Sequence, residues 1–140
     1  MIWDILLFIW QLPQNFLGLV VKLVTGAELY EREIDGYHYR FYVSTRFNES
    51  WSGVSLGDYI IFAKNAFADN DAVKHESGHQ KQSAFSGWFY IVLIGIPSFL
   101  GNIWDRLFHQ SWYLHERIEW YYKLPWEHSA DVLGGVDRGF

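Results

Sequence analysis

Residues 74–83 read KHESGHQKQS. Two histidines, His75 and His79, stand four apart, and Glu76 directly follows the first. On a helix, side chains at i and i+4 lie one above the other, so both imidazoles can reach one cation. Glu76 is turned about 100° around the same helix. It falls beside such a cation, where a carboxylate can take a proton from an activated water. Composition alone predicts roughly 0.014 chance matches to this pattern in a chain of this length. Asp69, Asn70 and Asp71 offer N-caps for the helix and Gly87 a stop. Gly78, inside it, costs up to about 1 kcal/mol relative to alanine, a cost best explained by close packing at that point.

Two histidines make an incomplete site, because a catalytic zinc takes three protein ligands and keeps one position open. Residues 125–135 read PWEHSADVLGG. Pro125 opens a short helix and Gly134-Gly135 ends it. Glu127 and Asp131 share a face. Ala130 and Gly134 are small enough to let the two helices approach, and Trp126, Ala130 and Leu133 form an apolar stripe. Glu127 in the first turn is the preferred third ligand, and the shorter Asp131 suits a carboxylate that orients a ligating histidine. The rivals for the third position are His128, Asp131, Glu119, His109 and His115. His115-Glu116-Arg117-Ile118-Glu119 places another His and Glu four apart, but Arg117 repels a cation and the stretch reads as a solvated helix face.

HESGH followed by EHSAD resembles the HExxH…ExxxD pattern of gluzincin zinc metallopeptidases, especially the CaaX-prenyl protease class. The resemblance implies Zn²⁺ on His75, His79 and Glu127, with Glu76 as general base and Asp131 supporting a ligand. It is confined to the two helices, and this chain lacks that class's long multi-span membrane part. The fuller run HESGHQKQS…GWFYIVLIGIPS…PWEHSAD is similar to small bacterial proteins carrying HExGHxxQS and GxPS signatures. That likeness extends to GVSLGDYIIF and implies nothing about substrate.

Upstream of the motif the pattern changes to β-structure. YHYRFYV (37–43) alternates, with Tyr37, Tyr39, Phe41 and Val43 on one face and His38, Arg40 and Tyr42 on the other. Asp35-Gly36 is a two-residue hairpin turn, which makes 28–34 the partner strand. GVSLGDYIIFA (53–63) reads as a third strand whose glycines mark a bulge or a close backbone approach. An extended substrate is expected to lie along it. The expected fold is α+β: a small antiparallel sheet packed with the HExxH helix and a second ligand-bearing helix.

Residues 1–25 form an apolar segment with no charge between Asp4 and Lys22, interrupted at Pro13 among Gln11, Gln14 and Asn15. Two short helices fit this as well as one long one. The segment is no convincing secretory signal, lacking a basic start and a small-residue cleavage site. It is expected to hold the protein at or in a bilayer, with a buried or interface-lying hairpin as the alternative to a true span, and the location, cytoplasmic or membrane-associated, is left open. Residues 88–104 are also uncharged, but Pro97 and two glycines interrupt them, favouring a buried helix plus turn over a membrane span. Residues 105–123 read as an amphipathic helix.

At 140 residues the chain is expected to form one domain over 1–140. Cysteine is absent, so any transition-metal site must use His, Asp and Glu. With 11 basic and 16 acidic residues and a net charge of −5, the chain carries no basic stripe for nucleic acid. Its mean hydropathy of −0.06 argues against a multi-span protein. An aromatic content of 20%, including 8 Trp, suits a groove for extended chains or a membrane interface. The function these features point to is zinc-dependent hydrolysis of peptide or protein substrates. Tyr113, His109 and His115 are the candidates for stabilising the oxyanion. The alternative is a membrane-surface interaction protein whose metal site is structural or vestigial, and a third class is a structural domain with no metal. Oligomeric state is not legible.

Overall fold

In the computed structural model, residues 1–46, 53–64 and 69–140 are described. The β-structure begins with strands β1 (Glu28–Ile34) and β2 (Tyr37–Ser44). They pair antiparallel from Glu28↔Val43 to Ile34↔Tyr37. Asp35 and Gly36 both take positive φ (52° and 80°), the conformation of a tight hairpin turn whose twist matches the strands. Alternation places Phe41 and Val43 inside, while Tyr37 at the hairpin end stays exposed.

Residues 53–63 form two strands instead of the single strand expected. Strand β3 (Gly53–Leu56) turns through Gly57-Asp58 into β4 (Tyr59–Ala63), with Leu56 opposite Tyr59. A glycine at the first central position is itself a hairpin signal, and Gly57 takes φ +63°. The second glycine of the stretch thus makes a turn and no bulge. The sheet order is β1-β2-β4-β3, and β2 runs parallel to β4. The sheet is therefore mixed, not purely antiparallel, because the chain builds β3 before returning to lie beside β2. β3 is left as an edge strand.

Helix α3 (Asn70–Ser86) carries the HESGH motif and packs Val73 into a core made by Ile34, Phe41, Val43, Ile60 and Phe62. The side chain of Asp69 accepts from the Asp71 N–H at 2.9 Å and caps its start. Two helices precede the sheet, α1 (Ile2–Trp10) and α2 (Leu12–Thr25), bent 85° apart. The break at Gln11 and Pro13 is therefore a sharp corner between two short helices. After α3 a 3₁₀ turn (Gly87–Phe89) and a π-helical stretch (Ile91–Gly95) lead into α4 (Ile96–Phe108). This segment is not the buried helix expected: of residues 91–108 only Gly101 is buried. Helix α5 (Leu114–Tyr122) follows a break at 109–113, so 105–123 is not one continuous helix. Helix α6 (Pro125–Gly134) ends on Gly135 in the left-handed region.

Helices α3 and α6 pack together closely. A Cβ on Gly78 would collide with the backbone of Ala130, and one on Gly134 with the carbonyl of Lys74. Gly78→Ala therefore has opposite expected effects: about 1 kcal/mol of gained helix propensity against an overpacking cost of about 1–3 kcal/mol. Because the obstacle at Gly78 is the Ala130 backbone, we expect net destabilisation and weakened metal binding, read by thermal melting and metal titration. A stabilised, fully loaded Gly78→Ala protein would refute this role for the close contact.

Candidate metal centre

The close crossing of α3 and α6 brings three donors to one point. Glu127 Oε2 lies 3.0 Å from His75 Nε2 and 3.1 Å from His79 Nε2. All three residues are buried, and their donor atoms lie within 4.8 Å of one another, so the cluster could hold a metal ion. The i, i+4 spacing sets the imidazole rings 4.7 Å apart, centre to centre.

The other polar atoms of these residues are also held. His75 Nδ1 lies 2.7 Å from Asp131 Oδ1, and Arg138 donates to both oxygens of Asp131 at 2.6 and 3.0 Å. The Arg138 guanidinium stacks 3.4 Å over the Tyr122 ring, which packs edge-to-face with His75. His79 Nδ1 lies 2.7 Å from Gln82 Oε1, while Gln82 Nε2 donates to the Trp126 carbonyl at 2.8 Å. Tyr121 donates to Glu127 Oε1 at 3.1 Å and shares a hydrogen bond with Ser98.

These partners decide where the protons are. Asp131 can only accept, and Gln82 Oε1 is an acceptor, so both Nδ1 atoms donate. Each Nε2 then faces Glu127 Oε2, a second acceptor. Without a cation both contacts require imidazolium rings around one carboxylate. With a divalent cation, both neutral rings would present lone pairs to it, and its two charges would stand in for those of the two protons. The donor set therefore fits a metal, and Asp131 and Gln82 fix the ligating tautomers as outer partners commonly do.

The electrostatics follow the same geometry. Burial opposes charge on His75, but hydrogen bonds to Asp131 and Glu127 outweigh it and raise its pKa to about 9. His79 is raised as well, burial again being outweighed by the bond to Glu127. Burial pushes Glu127 up, yet the two histidines hold it well below the usual carboxylate range. For Glu76 burial dominates, and its pKa is raised despite both imidazoles. Below about pH 9 an incoming cation must displace the His75 proton. Metal uptake at neutral pH should release protons into weak buffer, and apparent affinity should climb by up to about tenfold per pH unit per proton displaced, levelling once both imidazoles are neutral. Calorimetry in buffers of different ionisation enthalpy checks this; uptake without proton release would contradict it.

Glu76 is buried and lines a cavity of about 840 Å³ together with His75, His79 and Glu127. The cavity wall also includes edge strand β3 and residues of α2, α4 and α5. A Cβ on Gly53 would lie 3.3 Å from Glu76 Oε1, so Gly53 keeps the strand near this carboxylate.

The structure places the remaining candidates elsewhere. His128 is exposed on α6. Glu119 pairs with Lys123 on α5, and His115 and Glu116 are exposed. The three oxyanion candidates do not line the cavity. Tyr113 instead caps α5, its backbone N–H donating to Glu116 at 2.9 Å. His115 stacks on Tyr113. His109 is buried against Trp112 and Trp120 and bonded to Asp105. The phenols that do line the cavity are Tyr90, Tyr121 and Tyr122. Comparison with known proteins found no matching family model, no similar curated protein and no similar solved structure.

Proposed function

We propose that this chain is a zinc-dependent peptidase of the gluzincin type. The observation that carries the reading is the convergence of His75, His79 and Glu127 beside a buried carboxylate, Glu76, in one large cavity. Two imidazoles and a carboxylate are a donor set that zinc favours, and a site open to a cavity suits catalysis better than a closed structural site. When bound, zinc supplies a Lewis acid and a water that ionises near neutral pH. Glu76 accepts the water's proton and passes it to the amine released from the cleaved peptide bond. His75 and His79 are held in one tautomer by Asp131 and Gln82, and Tyr121 orients Glu127. Strand β3 is the sheet edge that lines the cavity, the place where an extended peptide can add as a further strand, with the Ser55 carbonyl already accepting from Tyr90.

A peptide library made by digesting a whole proteome, incubated with the zinc-loaded chain and read by mass spectrometry, tests the activity. New termini that appear with the wild type and not with Glu76→Gln support it. The alternative, a membrane-surface protein with a structural or vestigial site, uses the same ligands but gives Glu76 no task. Identical peptide patterns for the two proteins would favour that alternative.

A further inference from the structure

We infer that α1, α2 and residues 88–108 present one apolar face to the hydrocarbon of a lipid bilayer, with the charges of Asp4, Lys22, Asp105 and Arg106 at its margins, and that the metal-site cavity opens onto it. The second half of this inference rests on the peptidase reading, for it means that substrate reaches the site from the bilayer.

The first observation is an inverted distribution of polarity. In α1 all eight apolar residues are 43–74% exposed, and none is buried. In α2 the buried residues are Gln14, Asn15 and Gly18. Gln14 donates to Ser83 Oγ and the Gly87 carbonyl at 2.9 and 2.8 Å. Ser83 donates to Gln11 at 2.6 Å, and Asn15 accepts from the Asp58 N–H at 2.7 Å. Polar side chains thus point inward and bond to protein while apolar ones point outward. Water selects the opposite arrangement, and a bilayer selects this one.

The second observation is size and continuity. No charge occurs between Asp4 and Lys22 or between Lys81 and Asp105. Trp10 donates to the Ala84 carbonyl and Trp88 to that of Ile9, at 3.0 and 2.9 Å, which ties the two segments into one face. Residues 91–108 form 18 residues of helix, or about 27 Å against a hydrocarbon thickness of about 30 Å. Exposed large apolar residues there include Val92, Leu93, Leu100, Leu107 and Phe108.

The third observation separates lipid from a second copy of the chain. At about 100° per residue, the exposed residues of α1 surround its whole circumference. A docked protein covers one stripe of a helix, whereas hydrocarbon covers every side. The net charge of −5 gives no reason for anionic lipid, so a zwitterionic bilayer suffices. Leu17, Ile96 and Phe99 line the cavity and are also 42–49% exposed, so its mouth lies on this face.

The chain has no cysteine, so single cysteines take a spin label at one place. The full chain would be labelled at Leu6→Cys, Val92→Cys, Phe99→Cys and, as an aqueous reference, Tyr37→Cys, then reconstituted in phosphatidylcholine vesicles. Electron paramagnetic resonance reads collisions with oxygen, which concentrates in lipid, and with a water-soluble nickel chelate. We expect labels at 6, 92 and 99 to favour oxygen several-fold over nickel relative to position 37. Nickel access at 6 and 92 equal to that at 37 would overturn the bilayer face, and shielding from both reagents would assign it to a second copy. Lipid-facing labels at 6 and 92 with a nickel-accessible 99 would overturn entry from the bilayer. None of these readouts requires hydrolysis, so an inactive Glu76 would leave the pattern intact and sink only the peptidase reading.

Discussion

Glu76→Gln should leave zinc in place and abolish hydrolysis. The side chains are almost isosteric, and Glu76 sits beside the His75–His79–Glu127 cluster, not within it. The amide cannot accept the water's proton, so the rate should fall by at least 10²–10⁴, the usual contribution of a positioned general base. The reading depends on the contrast: zinc content equal to wild type, with new termini absent from the peptide library. Loss of zinc as complete as in His79→Ala would make Glu76 a ligand and withdraw its assignment as base.

Glu127→Ala should strip the metal as thoroughly as His79→Ala. Glu127 is fully buried, and its Oε2 meets both imidazole Nε2 positions. Its removal leaves two neutral ligands and no anionic one. Asp131→Asn should be milder, weakening zinc about 10–100-fold, because Asp131 touches His75 only through the far ring nitrogen. Gln82→Ala should fall in the same range, for Gln82 does for His79 what Asp131 does for His75. Competition titration against a chelator ranks the four variants. Wild-type affinity in Glu127→Ala would overturn the ligand assignment.

The features legible in the sequence are those set by local periodicity and turn chemistry. His75, Glu76 and His79 fall into place because a 3.6-residue repeat fixes their relative directions, and Asp35-Gly36 makes its hairpin through positive φ at both residues. Gly78, Ala130 and Gly134 mark the helix crossing because close packing excludes larger side chains there. Gly57-Asp58 carries a turn signal of the same kind, but reading 53–63 as one strand hides it and, with it, the parallel pairing of β2 and β4.

The outer contacts of the metal centre depend on tertiary placement. Arg138 lies beyond the last helix, where no periodicity aims it at Asp131. Tyr121 reaches Glu127 only because the turn at Lys123 and Leu124 folds α6 back onto α5. Gln82 left a fainter trace, since it stands three residues after His79 and so on the same helix face. The segment at 88–104 misleads for another reason. An uncharged run looks alike whether protein or lipid covers it, and Pro97 stands in the first turn of α4, where it breaks nothing.

The central claim is a metal centre built by His75, His79 and Glu127. Its most direct test is metal analysis by inductively coupled plasma mass spectrometry of the purified full chain, wild type beside His75→Ala. We expect about one zinc per wild-type chain and essentially none in His75→Ala, with both proteins equally folded by circular dichroism. A wild-type chain that takes up no metal even when zinc is supplied, or a His75→Ala chain that retains it, would contradict the account.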